Sequence, residues 1–446
     1  MSKNRSRKGI SGYGIMASMI IVITAVIVII GLGFNNWSIG RSNVLEVDGI
    51  ELIEVKSNKS SLNSDNRALN SINNLAFEMV KKDEGNNLVI SSVSLGSSLA
   101  LLTNGANEEG KKELMRYMLP GKRLVEDNDT IQQMNKDFNE YILYMSNDGK
   151  KCDIEYGTSM WIDNQYSNEV NEEFIDRANN DFFAEVYFED FKGDTERAIN
   201  KVNRWCSRKT KGKIEEIMDK DLDDEFFGVI LNTLYFKGPW QEPFNKRATR
   251  KKEFTTGEGE KIKVPMMQSK EDVEYLENEG YKAIKKAYGY GKYEMTIILP
   301  HENSGIEEII NDMDIEWWQE INNGENYFNY EDVILNIPKF KVEYDRLLND
   351  DLINGGVESI FMRKPAGLSD IGEDVYLSLI KQKCTIEVSE NGTEAAAATE
   401  SEMDKSEACE EEKEPKEFIV NRPFIFIISD RKYDSILFIG KVYNPA

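Results

Sequence analysis

The chain has 446 residues, of which 40% are hydrophobic, and its 79 acidic and 55 basic residues give a formal net charge of −24. A chain of this length and apolar content can bury a large core, which excludes a wholly disordered protein. Nucleic acid is excluded as the main ligand because phosphate binding uses clustered Lys and Arg, and the single histidine argues against histidine-rich metal sites and most catalytic triads.

The N-terminal segment has the pattern of a membrane anchor. Four basic residues and no acid occur in the first eight positions, and a nearly continuous apolar run follows from Ile15 to Phe34. As a helix, such a run spans about 30 Å, the thickness of the hydrocarbon core. We predict a transmembrane signal-anchor at 14–34, with 1–13 cytoplasmic and the rest outside the cell membrane. A cleaved secretory signal is the alternative, although 31–33 is a poor cleavage site.

Residues 35–64 are mixed and polar without a helical period, so we predict a stalk, and a folded domain follows at 65–446. Helical periodicity marks six stretches, near 66–82, 92–103, 107–118, 128–146, 194–206 and 304–321. Apolar strand-like runs mark five, at 227–236, 295–299, 333–337, 424–428 and 436–439. Helices early and strands late predict an α+β domain with mainly antiparallel sheets.

Several segments of this domain resemble motifs of the serpin family, in family order from about residue 66 to the end. They are Asn203-x-Trp205 with 210–214, Leu231–Trp240 with Pro243-Phe244, Val264–Met267, Ile337–Phe340, Glu390–Thr399 and Phe418–Pro445. The resemblance implies the serpin fold: three mainly antiparallel sheets, about eight to nine helices and an exposed reactive-centre loop at about 390–416. It also implies a monomer without a cofactor.

The segment that would form this loop alternates with a period of two. One parity is small or apolar: Thr393, Ala395, Ala397, Thr399, Ser401 and Met403. The other parity is mostly acidic. Such alternation is typical of a strand with one buried face, yet Ala is a poor strand former. The pattern therefore suits a loop that can later become a strand.

In inhibitory serpins a target protease cuts this loop, which then inserts into a sheet and carries the acylated protease with it. The hinge residues that the resemblance implies here are Glu390, Gly392, Thr393, Glu394, Ala395, Ala396, Ala397 and Ala398. We therefore predict a suicide-substrate inhibitor of serine proteases, not an enzyme. The alternative is a non-inhibitory binding or carrier protein, and no residue constellation supports an enzyme.

Two reactive-site bonds remain open. Lys405–Ser406 is the first choice and implies a trypsin-like target, whereas Ser406–Glu407 implies an elastase- or subtilisin-like target; cleavage after Met403 is a weaker third candidate. Between Glu400 and Glu417, nine acids and three lysines give a net charge of −6. This field should slow association with acidic proteases and favour basic ones.

The resemblance also places a shutter and a breach, the two regions where the sheet opens. The predicted residues are Ser91, Ser94, Asn232, Trp240 and Gln382. Two positions depart from the family: Ser92 stands where Pro is usual, and Gln382 where His is common. Because an amide both donates and accepts, we expect Gln382 to join Ser91, Ser94 and Asn232 in a hydrogen-bonded network. Trp240 should pack in the breach, and no metal site is predicted.

Overall fold

A computed structural model describes most of the predicted domain and six residues before it. The described residues are 45–47, 50–52, 66–82, 84–120, 128–146, 151–219, 222, 226–302, 304–323, 328–393 and 414–446. The chain divides into two compact units, residues 1–60 and 61–446. The first contains an antiparallel hairpin of β1 (Leu45–Val47) and β2 (Ile50–Leu52).

This hairpin lies inside the segment that we predicted to be an unstructured stalk. Leu45-Glu46-Val47 and Ile50-Glu51-Leu52 each alternate apolar and acidic residues, and Asp48-Gly49 stands between them. An Asp-Gly pair flanked by such alternation is a strong local signal for a hairpin. This signal covers only eight residues, and the prediction missed the hairpin because the surrounding segment is mixed and polar.

The predicted location, a single-pass protein of the cell membrane, is wrong. Within the part of the chain that the structure describes, no helix combines the length and the apolar character needed to cross a membrane. The segment 14–34, on which the prediction was placed, lies outside the described residues.

Nine α-helices occur among the described residues. They are α1 (Arg67–Val80), α2 (Ser92–Gly105), α3 (Glu108–Met118), α4 (Asn128–Ser146), α5 (Glu172–Phe182), α6 (Thr195–Lys209), α7 (Ile306–Asp312), α8 (Ile315–Asn323) and α9 (Asn349–Asn354). Polar caps fix several starts: the side chains of Asn66, Ser91, Asn107 and Asp194 accept from first-turn amides. The stretch predicted at 304–321 is two helices, because Asp314 accepts from the amide of Trp317 and starts α8.

Fifteen strands occur in the second unit, again counting described residues. They are β3 (Leu88–Ile90), β4 (Asp153–Asp163), β5 (Glu185–Glu189), β6 (Gly228–Pro239), β7 (Arg250–Thr255), β8 (Lys261–Glu277), β9 (Tyr281–Tyr288), β10 (Tyr293–Pro300), β11 (Asn329–Pro338), β12 (Phe340–Leu347), β13 (Leu379–Ser389), β14 (Gly392–Thr393), β15 (Lys416–Ile419), β16 (Phe424–Asp430) and β17 (Ile436–Val442). With the helices, they confirm the α+β class.

The strands form two large sheets. One has the order β15-β11-β8-β9-β10-β16-β17-β3, with β7 paired to the start of β8. The long strand β8 joins its two halves, because β7 and β11 pair along 261–275 whereas only Glu274–Glu277 pair with β9. The resemblance implied three sheets, and in the structure two of these are joined into one sheet through β8. The other large sheet has the order β12-β13-β14-β6-β4-β5.

Helix α2 lies at the centre of the core, and every one of its residues is buried. It contacts α1, α3 and α4, and it also contacts β6 of one sheet and β17 of the other. Its sequence, with four serines among the apolar residues, therefore serves two purposes. The apolar residues fill the core, and Ser97 and Ser98 provide hydroxyls beside the six-stranded sheet.

A buried carboxyl group, that of Asp430, lies at the end of strand β16 in the nine-stranded sheet. Asp430, the last residue of β16, accepts from the hydroxyl of Tyr141 at 2.7 Å and from the amides of Lys432 and Tyr433. Burial raises the pKa of Asp430 from 3.8 to about 6, although these hydrogen bonds favour the ionised form. Between pH 3.8 and about pH 6, the folded protein therefore keeps a proton on Asp430 that the unfolded chain has released.

Replacing this carboxyl group should change the pH dependence of stability. As the pH rises from 3.8 towards 6, the ionised Asp430 costs the folded state up to roughly 3 kcal/mol, so its contribution is most favourable in acid. Relative to Asp430→Asn, the wild-type protein should lose thermal stability as the pH rises to neutral. The measurement is the thermal midpoint of both proteins across this range. Exposed Glu258→Gln is the control, and parallel curves for wild type and Asp430→Asn would contradict the expectation.

Candidate functional site

The six-stranded sheet contains two neighbouring strands that pair over only part of their length. Strands β6 and β13 run parallel and pair between Val229–Asn232 and Leu379–Gln382. Past Asn232 and Gln382 they separate, and no described strand stands between 233–237 and 383–387. On its other side β6 pairs with β4, and β13 pairs with β12. Only the two facing edges are therefore open.

The first residues of the predicted loop close the far end of this opening. Strand β13 turns back at Glu390 and Asn391, and Gly392 and Thr393 form β14 between β13 and β6. Thr393 lies opposite Val388 on one side and Gly238 on the other. The opening thus has paired strands at one end and a two-residue third strand at the other.

Gly392 allows this turn because no side chain fits there. Its φ is 133°, a conformation that L-residues rarely adopt, and a Cβ would lie 2.1 Å from the carbonyl oxygen of Gly238. It would also lie 2.7 Å from Cα of Pro239 and 2.8 Å from the nitrogen of Trp240. Close backbone approach, together with the backbone conformation, requires glycine at this position.

Thr393 points into the main core. It is fully buried, and its hydroxyl is 2.6 Å from the hydroxyl of Tyr288. The Tyr288 ring stacks on Trp240 with 4.4 Å between centroids and an 11° interplanar angle. Trp240 in turn donates its indole N–H to the carbonyl of Ser389 at 3.0 Å. The predicted breach residue and the predicted hinge residue therefore meet through Tyr288.

An ion pair fixes the turn before the hinge. Glu390 accepts from the Thr249 hydroxyl at 2.8 Å, and its carboxylate lies 3.1 Å from Nζ of Lys339. Burial alone would raise the pKa of Glu390, but the hydrogen bonds and Lys339 outweigh it and hold the pKa below its ordinary value. Glu390 is 6% exposed, so losing Lys339 would leave a nearly buried carboxylate without its ionic partner.

A second, fully buried ion pair lies beneath Trp240. Nζ of Lys286 is 2.6 Å from the carboxylate of Glu271, and the ammonium lies 4.7 Å from the ring centroid of Phe244 and 5.6 Å from that of Trp240. Burial lowers the pKa of Lys286, although Glu271 opposes the shift. The amide of Phe244 donates to the carbonyl of Glu390, so this pair supports the turn from below.

At the paired end of the opening, the predicted shutter residues form two separate groups. Gln382 both accepts from the Ser91 amide at 3.1 Å and donates to the Ser91 carbonyl at 2.8 Å, and the Ser91 hydroxyl donates to Ser94. Ser92, where the family usually has Pro, donates to the carbonyl of Ile436 at 2.6 Å. Gln382 thus bonds to the backbone at the start of α2.

Asn232 belongs to the other group. Its Oδ1 accepts from Ser98 at 2.6 Å and from Thr158 at 3.1 Å, and the Thr158 hydroxyl also lies 2.7 Å from that of Tyr156. Asn232 is fully buried, and its Nδ2 has no hydrogen-bond partner among the described residues. A buried donor without an acceptor costs about 1–3 kcal/mol, so this amide favours any acceptor that reaches it.

Sequence reasoning found Trp240, Glu390, Gly392 and Thr393 but missed their partners. Tyr288, Lys286, Lys339 and Thr249 lie on other strands or loops, and their roles depend on pairings that no local pattern reveals. The remaining hinge residues, Glu394 and Ala395 to Ala398, lie outside the described residues. So do Lys405, Ser406 and Glu407 of the two candidate reactive-site bonds.

Comparisons with known proteins agree on one family. A family model described as Serpin (serine protease inhibitor) matches residues 70–445. An uncharacterized serpin-like protein of Thermococcus kodakarensis is 32% identical over 381 residues, which cover 84% of this chain and 85% of the relative. Native Tengpin, a thermophilic serpin, has a TM-score of 0.75 at 26% identity, covering 87% of this chain and 97% of its own.

Human thyroxine-binding globulin complexed with thyroxine is similar in fold. Its TM-score is 0.75 at 22% identity, and the match covers 86% of this chain and 100% of that chain. At this identity the likeness concerns the fold alone.

Substituting Gly392 by alanine should expel the two hinge residues from the sheet. The clash with the carbonyl of Gly238 adds to backbone strain of about 1–3 kcal/mol, so β14 should lose its pairing. Amide hydrogen exchange at Thr393 should rise toward that of an exposed loop. Gly259→Ala is the matched control, because Gly259 has φ of 81° with nothing within 4 Å of a Cβ. Unchanged protection of Thr393 in Gly392→Ala would sink the steric argument.

Proposed function

The chain belongs to the serpin family, and on this premise we propose that it inhibits serine proteases as a suicide substrate. The protease would cut the loop after 393, and the cut loop would insert between β6 and β13 before the acyl-enzyme is hydrolysed. One observation carries the proposal: the sheet is open between these two strands, and Gly392 and Thr393 already occupy the end of the opening.

The register of β14 fixes where each further residue would lie. If the pairing of Thr393 with Gly238 and Val388 continues, residues 394–398 come to lie opposite 237–233 of β6 and 387–383 of β13. These are the positions that have no strand between them now. The first five inserted residues would therefore pair without breaking any existing β6–β13 contact, whereas 399–402 would replace all four residue pairs.

The same register explains the small residues of the hinge. Ala395 would lie between Phe236 and Ile386 on the core side, and Ala397 between Leu234 and Cys384. All four neighbours are buried, and a packed core admits little added volume. Glu394 would instead face outward beside Lys237, where a charge stays solvated.

The register also brings Thr399 between Asn232 and Gln382. Its parity is that of Thr393, so its hydroxyl would face the core at the point where the Nδ2 of Asn232 lacks an acceptor. Insertion would then satisfy a buried donor that the present arrangement leaves unpaired. This gain favours the inserted state over the open one.

For the reactive-site bond we retain Lys405–Ser406 with a trypsin-like target, and Ser406–Glu407 with an elastase- or subtilisin-like target as the alternative. The acidic surroundings from 400 to 417 favour a protease with a basic active-site rim. The mass of the C-terminal peptide released on cleavage distinguishes the two bonds directly.

A charge on the inward parity should abolish inhibition. Ala395→Glu places a carboxylate between two buried side chains, at a cost of several kcal/mol, whereas Ala396→Glu places the same group on the outward face. Incubation of the full chain with trypsin, elastase and subtilisin should give an SDS-resistant covalent complex for wild type and Ala396→Glu. Ala395→Glu should be cleaved without a complex. Equal complex yields for both variants would overturn insertion in this register.

If wild type is cleaved cleanly by every protease without a complex or a gain in thermal stability, the protein uses the fold as a binding or carrier module. That outcome would replace the inhibitory proposal.

The contact between Thr399 and Asn232 predicts a specific loss in the cleaved form. Thr399→Val should lower the stability of the loop-cleaved protein by about 1 kcal/mol and leave that of the intact protein unchanged. Thr399→Ser keeps the hydroxyl and serves as the control. The measurement is thermal unfolding before and after loop cleavage, and a loss in the intact form instead would contradict the register.

A further inference from the structure

We propose that residues 246–263, called here the cationic hairpin, form a docking surface for an acidic face of the target protease, next to the loop that the protease cuts. The hairpin consists of a short 3-10 turn (Lys246–Ala248), β7 and the start of β8. The inference rests on the proposed function, because it names a property of that function's partner. No assigned site or motif accounts for this surface.

The cationic hairpin has the opposite charge to the protein as a whole. Seven basic residues and three acids give it a net charge of +4 in a chain of −24. All seven are exposed: Lys246, Arg247, Arg250, Lys251, Lys252, Lys261 and Lys263. Within the described part of the chain, Lys261 alone among the seven forms an ion pair, and four side chains form neither an ion pair nor a hydrogen bond: Lys246, Arg247, Lys251 and Lys263.

Strand pairing places several of these charges on one face. Glu253 lies opposite Lys263, so the side chains of Lys251, Lys261 and Lys263 share its parity. The other parity of β7 includes Phe254, which is fully buried. Glu253 is the single acid of this parity within the paired residues 250–255 and 261–266, and it pairs with Lys261 at 2.6 Å. Lys251 and Lys263 are left to contact a partner.

The cationic hairpin also runs between the two ends of the reactive loop. Thr249, just before β7, bonds to Glu390, where the loop departs. Thr255, the last residue of β7, donates its amide to the carbonyl of Asn421, just after the loop returns as β15. A six-residue strand spans about 20 Å, and a stable interface covers roughly 800 Å² on each partner. A protease bound to the loop would therefore extend over this surface.

Protection of a sheet edge does not explain the charges. Strand β7 is an edge strand, and lysines on such a strand discourage pairing with other chains. However, Lys246 and Arg247 precede the strand and take no part in its pairing. The excess charge extends beyond the edge.

The cationic hairpin would act mainly on the rate at which the protease associates with the protein. The acidic part of the loop repels an acidic protease, and the cationic hairpin attracts it at a neighbouring point. Because charges act over about 8 Å at physiological salt, each field would act mainly on the part of the protease nearest to it. A protease with a basic cleft and an acidic rim would benefit from both, and rim charges typically alter association and its salt dependence more than the bound state.

The test compares anionic and cationic trypsin, two isoforms of one specificity that differ in surface charge. The full chain, the variant Lys251→Glu/Lys263→Glu and the control Lys192→Glu/Arg197→Glu are each incubated with both enzymes at low and at physiological salt. Lys192, just before α6, and Arg197, in its first turn, are both exposed, and the control changes net charge equally. The second-order rate of loop consumption, by complex formation plus cleavage, is measured, and thermal midpoints check folding.

We expect the hairpin variant to slow consumption by anionic trypsin about tenfold at low salt, and less at physiological salt, with under twofold change for the control. Lys251→Gln/Lys263→Gln should give an intermediate effect. Equal rates for hairpin variant and control would overturn the docking surface, even if covalent complexes still form. Cleavage without complexes, but with the tenfold difference, would overturn inhibition and keep the surface.

Two further results would also overturn the proposal. Faster consumption of the hairpin variant by both trypsins would mean that the cationic hairpin covers the loop of its own chain. If dextran sulfate changes the wild-type rate equally with both trypsins, and not that of the hairpin variant, the surface binds polyanions instead.

Discussion

The partial separation of β6 and β13 is the constraint on which the rest of this structure depends. Both strands are fully paired on their outer sides, with β4 and β12, so neither can move freely toward the other. Their inner edges carry backbone donors and acceptors that no described strand meets between 233 and 237. Unpaired backbone groups favour a new strand there, and the next residues of this chain have a strand's alternation.

The two ends of the opening are held by different interactions. At the end near Gly392, Trp240 stacks on Tyr288, whose hydroxyl contacts the buried Thr393, and Gly392 permits the turn. At the other end, hydrogen bonds from Gln382 to the start of α2 hold β13 in place. In the proposed insertion, the first end already has the arrangement of the inserted loop, and the second would have to separate.

Asn232 connects the core to this balance. Its Oδ1 is satisfied by Ser98 of the central helix and by Thr158 of β4, but its Nδ2 is not satisfied among the described residues. An unsatisfied buried amide raises the free energy of the present arrangement without disturbing its packing. A serine of the helix that fills the core therefore bonds to the strand beside the opening.

The sequence alone determined the class of the fold, the family and most of the early helices, and it contains the small-residue pattern on which the predicted hinge rests. These follow from local information: helical period, polar caps, and the glycine and small residues from 392 to 398. It did not reveal β3, β4, β5, β7, β9, β12 or β13, because these strands are very short or have polar and charged residues among their apolar ones. Only the tertiary structure decided that Tyr288, Lys286, Lys339 and Thr249 surround the hinge, since strands distant in sequence bring them together. It also split the expected shutter network in two, because Gln382 and Asn232 face different serines of one helix.

The charge of residues 246–263 could be read from the sequence, but their position between the two ends of the loop depends on long-range hydrogen bonds to Glu390 and Asn421.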